Sequence, residues 1–287
     1  MSHDEAGSFG ALSVPSYRML FIGTLASYTA FFISTVVQGV VAFELAGTNT
    51  AVGSVIFGQG LGMVFSGPLG GAYADRLPKR RVIAICQTLS AVCFGSVGVL
   101  HAMGLLEIVH LAINGFVVGC AFGFIGPARQ ALVLDLVPLE LVGNAMALTT
   151  VANTMSRVSG PLVAALLLAT PGAGAAVAYG AMSLLYLVSV GLLGFLPASV
   201  VRAGAAETHV FEDLFAGLEY AWRHVRLRHL LVFFVSVMLI GFPHVTLIPG
   251  LLENQLGRPA EELTRFAFFS ALGALVASLA VARHADS

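Results

Sequence analysis

Long apolar runs, separated by short polar segments, limit what this chain can fold into. Apolar stretches of about 20 residues with few charges are typical of membrane-spanning helices, because a bilayer core of about 30 Å needs that length. Of the 287 residues, 57% are hydrophobic and only 10% are charged, unlike a soluble domain. The runs fall at about residues 19–43, 51–74, 82–103, 107–126, 143–169, 174–196, 229–252 and 263–282. The sequence therefore predicts an all-α integral membrane protein with eight spans.

The basic residues predict the side of the membrane on which each loop lies. If the N-terminus is cytoplasmic and each run crosses once, 11 of the 14 Lys and Arg residues fall in cytoplasmic segments. Both ends of the chain are then cytoplasmic, and the predicted location is the cell membrane. The polar N-terminus carries acids where a secretory signal would carry basic residues, so the first run is predicted to be a retained helix.

The sequence lacks the patterns of several other function classes. It contains no P-loop, HExxH or GxSxG motif, so we do not expect an enzyme. The basic residues form no domain-sized patch, so nucleic acid is not an expected partner. Cys86, Cys93 and Cys120 lie inside apolar runs and form no CxxC pair, which favours packing roles. We predict no metal and no cofactor.

The segment between the sixth and seventh runs is the long connection in the chain. We predict a six-helix half over residues 1–196, a cytoplasmic central loop over 197–228 and a partial second half over 229–287. Within the loop, apolar residues recur at helical spacing from Phe211 to Val225, which predicts an amphipathic helix. We expect this helix at the inner membrane face; a docking helix for a partner protein is the alternative.

A faint repeat relates the start of the chain to its end. Glu44 and Glu253 end the first and seventh runs, and the dipeptides Ala74-Asp75 and Ala285-Asp286 follow the second and eighth, with offsets of 209 to 211 residues. These offsets indicate a duplicated six-helix unit, an architecture known among transporters. The chain is then expected to be C-terminally truncated, with helices 9 to 12 missing.

A compact charged segment lies between the second and third runs. Residues 70–81, GGAYADRLPKRR, concentrate five charges within seven residues. Basic residues on an inner loop fix orientation, but that role explains neither the aspartate nor the glycine before it. The segment resembles the signature between helices 2 and 3 of the major facilitator superfamily, G-x-L-A-D-R-x-G-R-K. Its candidate functional residues are Gly71, Asp75, Arg76, Lys79, Arg80 and Arg81.

The resemblance implies a function for this segment. In the superfamily the loop latches the two halves of the transporter at the cytoplasmic side in the outward-open state, and its aspartate interacts with a helix terminus of the other half. Asp75 would therefore be the latch residue. Tyr73 and Pro78 depart from the pattern, and Pro78 is expected to stiffen the turn.

The segment at residues 126–138 narrows the resemblance. GPARQALVLDLVP, followed by Asn144-Ala145, resembles the branch of enterobactin-exporter-like and macrolide-efflux-like proteins. We predict that this segment is loop 4–5 and that Arg129 and Asp135 lie on the same membrane side as Asp75. The charges either form a cytoplasmic network with Asp75 or lie in an ordinary solvated loop.

The fifth run contains the one cation predicted at membrane depth, Arg157. Insertion of an arginine near mid-helix costs roughly 2.5 to 3.5 kcal/mol, so we expect it to face the bundle interior and to be paired. Asn153, Gly160 and Pro161 are predicted to share its helical face. The stretch over residues 156–165 resembles the antiporter signature G-x-x-x-G-P-x-x-G-G, which implies export by antiport. A Gly-Pro packing kink is the alternative.

Polar side chains at membrane depth are the candidates for substrate binding or ion coupling. Glu44 is the carboxylate candidate and His244 the imidazole candidate for proton coupling, although a hydrogen-bonded packing role also fits the histidine. The Gly115-xxx-Gly119-xxx-Gly123 ladder predicts a close-packing helix face. The candidate residues are Gln38, Glu44, Gln59, Asn114 and His244.

Together these features predict a monomeric secondary transporter in a lipid bilayer. It would export a small molecule, such as a drug, siderophore or metabolite, by alternating access, with a proton or another cation as the coupling ion. The rival hypothesis is a transport-inactive fragment of such a carrier.

Overall fold

The computed structural model of the protein describes residues 10–74, 76–172, 174–197, 217 and 219–241. Within these ranges the chain consists of α-helices and short turns, which confirms the predicted all-α bundle. The first six helices are long and apolar enough to cross a membrane. The helices are α1 (Pro15–Ala46), α2 (Asn49–Ala74), α3 (Lys79–Ala102), α4 (Ile108–Leu136), α5 (Val142–Leu168), α6 (Gly174–Gly194) and α7 (Val225–Gly241).

The chain divides into two compact units, Met1–Leu214 and Phe215–Ser287. Six of the eight predicted spans coincide with α1 to α6 in the first unit. The seventh run is described only as far as Gly241, and the eighth lies outside the described residues. In the predicted central-loop helix, residues 219–223 are described and helical. The predicted domain bounds stay predictions.

A short turn reverses the chain between α1 and α2. Gly47 ends α1 with φ 66°, a left-handed conformation that side chains rarely adopt, and its N–H donates to the carbonyl oxygen of Phe43 at 2.7 Å. The hydroxyl of Thr48 accepts the N–H of Ala51 at 3.4 Å, which caps the start of α2. The two helices therefore run in opposite directions with only a short connection.

Each helix of the first unit has a small set of neighbours. α2 packs mainly on α4, α3 contacts both α4 and α6, and α1 packs against α5 and α6. Two buried clusters lie between them, one around Phe94 and Val37 and the other around Tyr17 and Leu132. Because lipid tails are as apolar as these side chains, close packing and hydrogen bonds hold such helices together.

Glycines bring α2 and α4 into backbone contact. A Cβ atom built on Gly119 would overlap the carbonyl oxygen of Gln59, and one built on Gly62 would overlap the carbonyl oxygen of Phe116. A Cβ atom built on Gly123 would likewise overlap the side chain of Ser66. The predicted close-packing role of the ladder is confirmed, and its partner is α2. We call this contact the α2–α4 seam.

Aromatic side chains fill the contact between α3 and α6. The ring of Phe94 stacks on that of Tyr186, with centroids 5.8 Å apart, and lies 6.3 Å from that of Tyr179. All three side chains are buried. The hydroxyl of Ser183 donates to the carbonyl oxygen of Ala91 at 2.8 Å. We call this contact the α3–α6 seam.

The predicted loop 4–5 is wrong for most of its length, because α4 continues to Leu136. Arg129 and Asp135 are therefore helical residues. The run appeared to end near residue 126 because the following residues include Pro127 and two charges. Proline is tolerated inside membrane helices, and Arg129 is buried against α1, so the helix continues.

Candidate functional site

Charged side chains at the start of α3 hold the ends of α4 and α6. Lys79 Nζ donates to Asp135 Oδ2 at 2.7 Å, and the lysine side chain is only 8% exposed. Arg80 donates to the carbonyl oxygens of Gly194, at 2.9 Å, and Leu196. These carbonyls lie at the C-terminal end of α6, where a cation is favourable. Lys79, Arg80 and Asp135 are the α3 charge cluster.

Three of the remaining signature residues, Gly71, Arg76 and Arg81, are described by the structure. Gly71 is exposed, and a side chain there would meet open space. Arg76 is half-buried and Arg81 is exposed. Asp75 lies outside the described residues, so its role as a latch stays a prediction.

Arg129 is a buried cation on α4, with 2% of its surface exposed. Its Nη2 donates to the hydroxyl of Ser27 at 2.8 Å, and its guanidinium carbon lies 4.7 Å from the ring centroid of Tyr28. Nε and Nη1 have no hydrogen-bond partner. No carboxylate in the described part of the chain lies within salt-bridge distance. A solvated position for Arg129 is therefore wrong, as is the prediction that Arg157 is the one intramembrane cation.

Arg157 is exposed on the first unit, so it does not lie in the interior enclosed by α1 to α6. Helix α5 packs on α1 through Ser156, Gly160 and Ala164, which are buried. Arg157 follows Ser156 and lies about 100° around the helix from this stripe. Its guanidinium carbon lies 5.5 Å from the ring centroid of Phe32. Among the described residues, the partner of Arg157 is an aromatic ring and not an acid.

Both guanidiniums therefore lie over aromatic rings of the same helix. Tyr28 and Phe32 are separated by about one turn of α1, so their side chains share a face. We call this pair the α1 aromatic row. Phe31 extends the aromatic surface toward α4 by stacking on Phe122, with centroids 4.0 Å apart. Sequence reasoning missed Tyr28 and Ser27 as arginine partners; the signal was a polar pair inside an apolar run.

The other residues of the predicted helix 5 face are divided by the structure. Gly160 is buried, and a Cβ atom there would stand 2.5 Å from the Cβ of Phe32. Asn153 is half-buried and Pro161 is exposed. The predicted common face therefore spans two environments, a packed one against α1 and an open one.

Three of the predicted substrate or coupling residues are buried amides on three helices. Gln38 on α1 and Asn114 on α4 are each 3% exposed, and Gln59 on α2 is 9% exposed. Gln38 Oε1 and Gln59 Cβ lie 3.4 and 3.6 Å from the place of a Cβ atom on Gly115. All three amides have polar atoms without a hydrogen-bond partner, which is unfavourable for buried groups. They offer hydrogen bonds to a bound solute or to water.

Two further candidates lie away from the amides. Glu44 is exposed near the end of α1, and His244 lies outside the described residues. A pocket of about 150 Å³ between α3 and α4 is lined by Ser96, His110 and Asn114, among others. Within the described ranges, no three His, Cys, Asp or Glu side chains are grouped to hold a metal ion.

Comparison with known proteins gives one finding for the chain. A family model described as transmembrane secretion effector, within the major facilitator superfamily, matches residues 6–285. The matched residues include all six helices of the first unit and the α3 charge cluster. No curated protein matches the chain.

Proposed function

Because the chain belongs to the transmembrane secretion effector family of the major facilitator superfamily, we propose that it is a secondary active exporter of small molecules. Membership supports a multi-pass membrane transporter, rather than an enzyme, with a small-molecule substrate and a surrounding bilayer. Alternating access, antiport with a proton or another cation, the cell membrane, cytoplasmic chain ends and a monomeric state belong to the proposal. Transport would need no cofactor and would draw its energy from an ion gradient.

The α3 charge cluster is the observation that supports alternating access. In such a mechanism a six-helix half moves as one body, so its helix ends must be joined firmly. Lys79 joins α3 to α4 through Asp135, and Arg80 joins α3 to α6. The Lys79 side chain is buried, so removal of its partner Asp135 would leave a buried charge unpaired. We infer that this cluster transmits movement of the segment at residues 70–81 to the whole half.

The variant Asp135→Asn tests this inference. Lys79 would lose its charge partner, and we expect the transport rate to fall about tenfold, the equivalent of about 1.4 kcal/mol, while the helices remain folded. The measurement uses the full chain in proteoliposomes with an imposed proton gradient, and follows a fluorescent anion and a cation with the same ring system. The reversed pair Lys79→Asp with Asp135→Lys is expected to recover part of the rate.

Glu140→Gln is the matched control, because Glu140 is an exposed acid on the short turn after α4. Its transport rate should equal that of the unaltered chain. A full rate for folded Asp135→Asn would contradict the inference about the cluster. If the unaltered chain moves neither probe under any imposed gradient, the proposed export of such molecules fails.

A further inference from the structure

Two positive charges inside the described candidate spans have no described acid to balance them. Arg129 and Arg157 lie inside spans and contact aromatic rings. Asp135, the acid nearest in sequence to Arg129, is paired with Lys79. The described acids lie near helix ends or outside the spans: Glu44, Glu107, Asp135, Glu140 and Glu219. Charges in such surroundings usually mark a substrate or ion pathway.

The contact with an aromatic ring leaves each guanidinium able to bind an anion. A guanidinium over a ring face is attracted by the ring quadrupole, while its N–H groups remain in the guanidinium plane. Those of Arg129 at Nε and Nη1 have no partner. A fork of N–H donors matches the oxygens of carboxylate, sulfonate or phosphate groups. The guanidinium N–H donors in this region are therefore suited to binding an anion.

The two arginines differ in access. Arg157 is exposed and Phe32, its aromatic partner, is half-buried, so the described helices enclose neither side chain completely. Arg129 contacts the ring of Tyr28 and has only 2% of its surface exposed. A ligand would contact Arg157 first, whereas Arg129 would contribute positive potential through a medium of low dielectric constant.

We propose that Arg157 and the α1 aromatic row form a binding site for an organic anion, with Arg129, in contact with Tyr28, as a positioning charge. The anionic group binds Arg157, and a flat apolar part of the ligand packs on Phe32. The inference rests on the proposed function, because it names the substrate class of the same transporter. It assigns organic anions, rather than organic cations, as the molecules that the site selects.

The test uses two probes with the same ring system and opposite charges, 1-naphthalenesulfonate and 1-naphthylmethylammonium. The full chain is placed in nanodiscs of zwitterionic lipid, and binding is measured by equilibrium dialysis without any gradient. We expect the sulfonate to bind about tenfold more tightly than the ammonium, as one charge-assisted hydrogen bond would give. Arg157→Gln should remove this preference, and Arg157→Lys should keep part of it.

Arg18→Gln is the matched control, since it removes the same charge from an exposed residue in the first turn of α1. It should leave both affinities unchanged. Equal binding of the two probes, or a preference for sulfonate that survives Arg157→Gln, would overturn the site. Because Arg157 is exposed, its variants should fold. They therefore test the site even if Arg129→Gln does not fold.

Failure of the site and failure of the proposed function give different results. If the chain binds the sulfonate through Arg157 but exports neither probe in proteoliposomes, the proposed function fails and the site stands. If it exports the ammonium as fast as the sulfonate, with no effect of Arg157→Gln, the site is overturned and export stands.

Discussion

The α2–α4 and α3–α6 seams join membrane-spanning helices of one bundle by opposite means. At the α2–α4 seam, glycines such as Gly119 allow the backbones to touch, and no added side chain fits. At the α3–α6 seam, the rings of Phe94, Tyr179 and Tyr186 fill the space between the helices. Inside a bilayer the hydrophobic effect does not drive helices together, because lipid tails are as apolar as the side chains. Both seams therefore depend on close packing. Adding atoms should therefore destabilise the α2–α4 seam, whereas removing atoms should destabilise the α3–α6 seam.

The tight seam also determines where the buried amides lie. Gln59 packs its Cβ next to Gly115, and its backbone touches Gly119. The backbone contact of the seam therefore places Gln59 of α2 directly against α4. The aromatic seam contains no such row of amides, and its one interhelical hydroxyl bond is secondary.

Gly119→Val should have the largest effect, because the added atoms would overlap the backbone of Gln59 and no rotamer relieves the overlap. We expect the free energy of unfolding to fall by about 4 to 5 kcal/mol, the range of the most severe substitutions. Denaturant unfolding in mixed micelles measures this change. Gly60→Val is the control, since open space surrounds Gly60. Equal stability of the two variants would refute the tight seam.

Phe94→Ala should have the next largest effect, because it removes a buried ring from the α3–α6 seam. The cavity should lower the free energy of unfolding by about 3 to 5 kcal/mol. The same micelle experiment applies, with Phe65→Ala on the exposed face of α2 as the control. If Phe65→Ala loses as much stability as Phe94→Ala, the packing of buried rings does not explain the stability of the α3–α6 seam.

Ser183→Ala should have the smallest effect of the three. It removes the bond from the Ser183 hydroxyl to the Ala91 carbonyl, and bonds of this kind contribute about 0.6 kcal/mol on average between membrane helices. Ser54→Ala is the control, because the Ser54 hydroxyl bonds only within its own helix, to Ala51. A loss above about 2 kcal/mol for Ser183→Ala would show that the hydroxyl, and not the rings, dominates the seam.

The lengths of the apolar runs were enough to predict α1 to α6, because the thickness of a bilayer sets the length of a spanning helix. The glycine ladder of α4 was also predictable as a packing face from its spacing. Its partner was not, since glycines occur throughout the sequence and spacing does not identify which helix lies opposite.

The two arginines show the limit of reasoning from a single segment. Hydropathy ends α4 near residue 126, but the helix continues to Leu136 and its Arg129 contacts Ser27 and Tyr28 of α1. These contacts join residues about 100 positions apart, so no local pattern reveals them. For Arg157, insertion energy indicated a need for a partner, and the described partner is an aromatic ring on α1 rather than an acid.

The bonds from Arg80 to the end of α6 also bear on how the bundle is made. Arg80 precedes Gly194 by 114 residues, and a ribosome adding about 5 to 20 residues per second needs roughly 6 to 23 s for that stretch. Throughout this interval Arg80 has already been synthesised, but its two carbonyl acceptors at the end of α6 have not. Translation of α6 therefore sets the earliest moment at which the six helices can close.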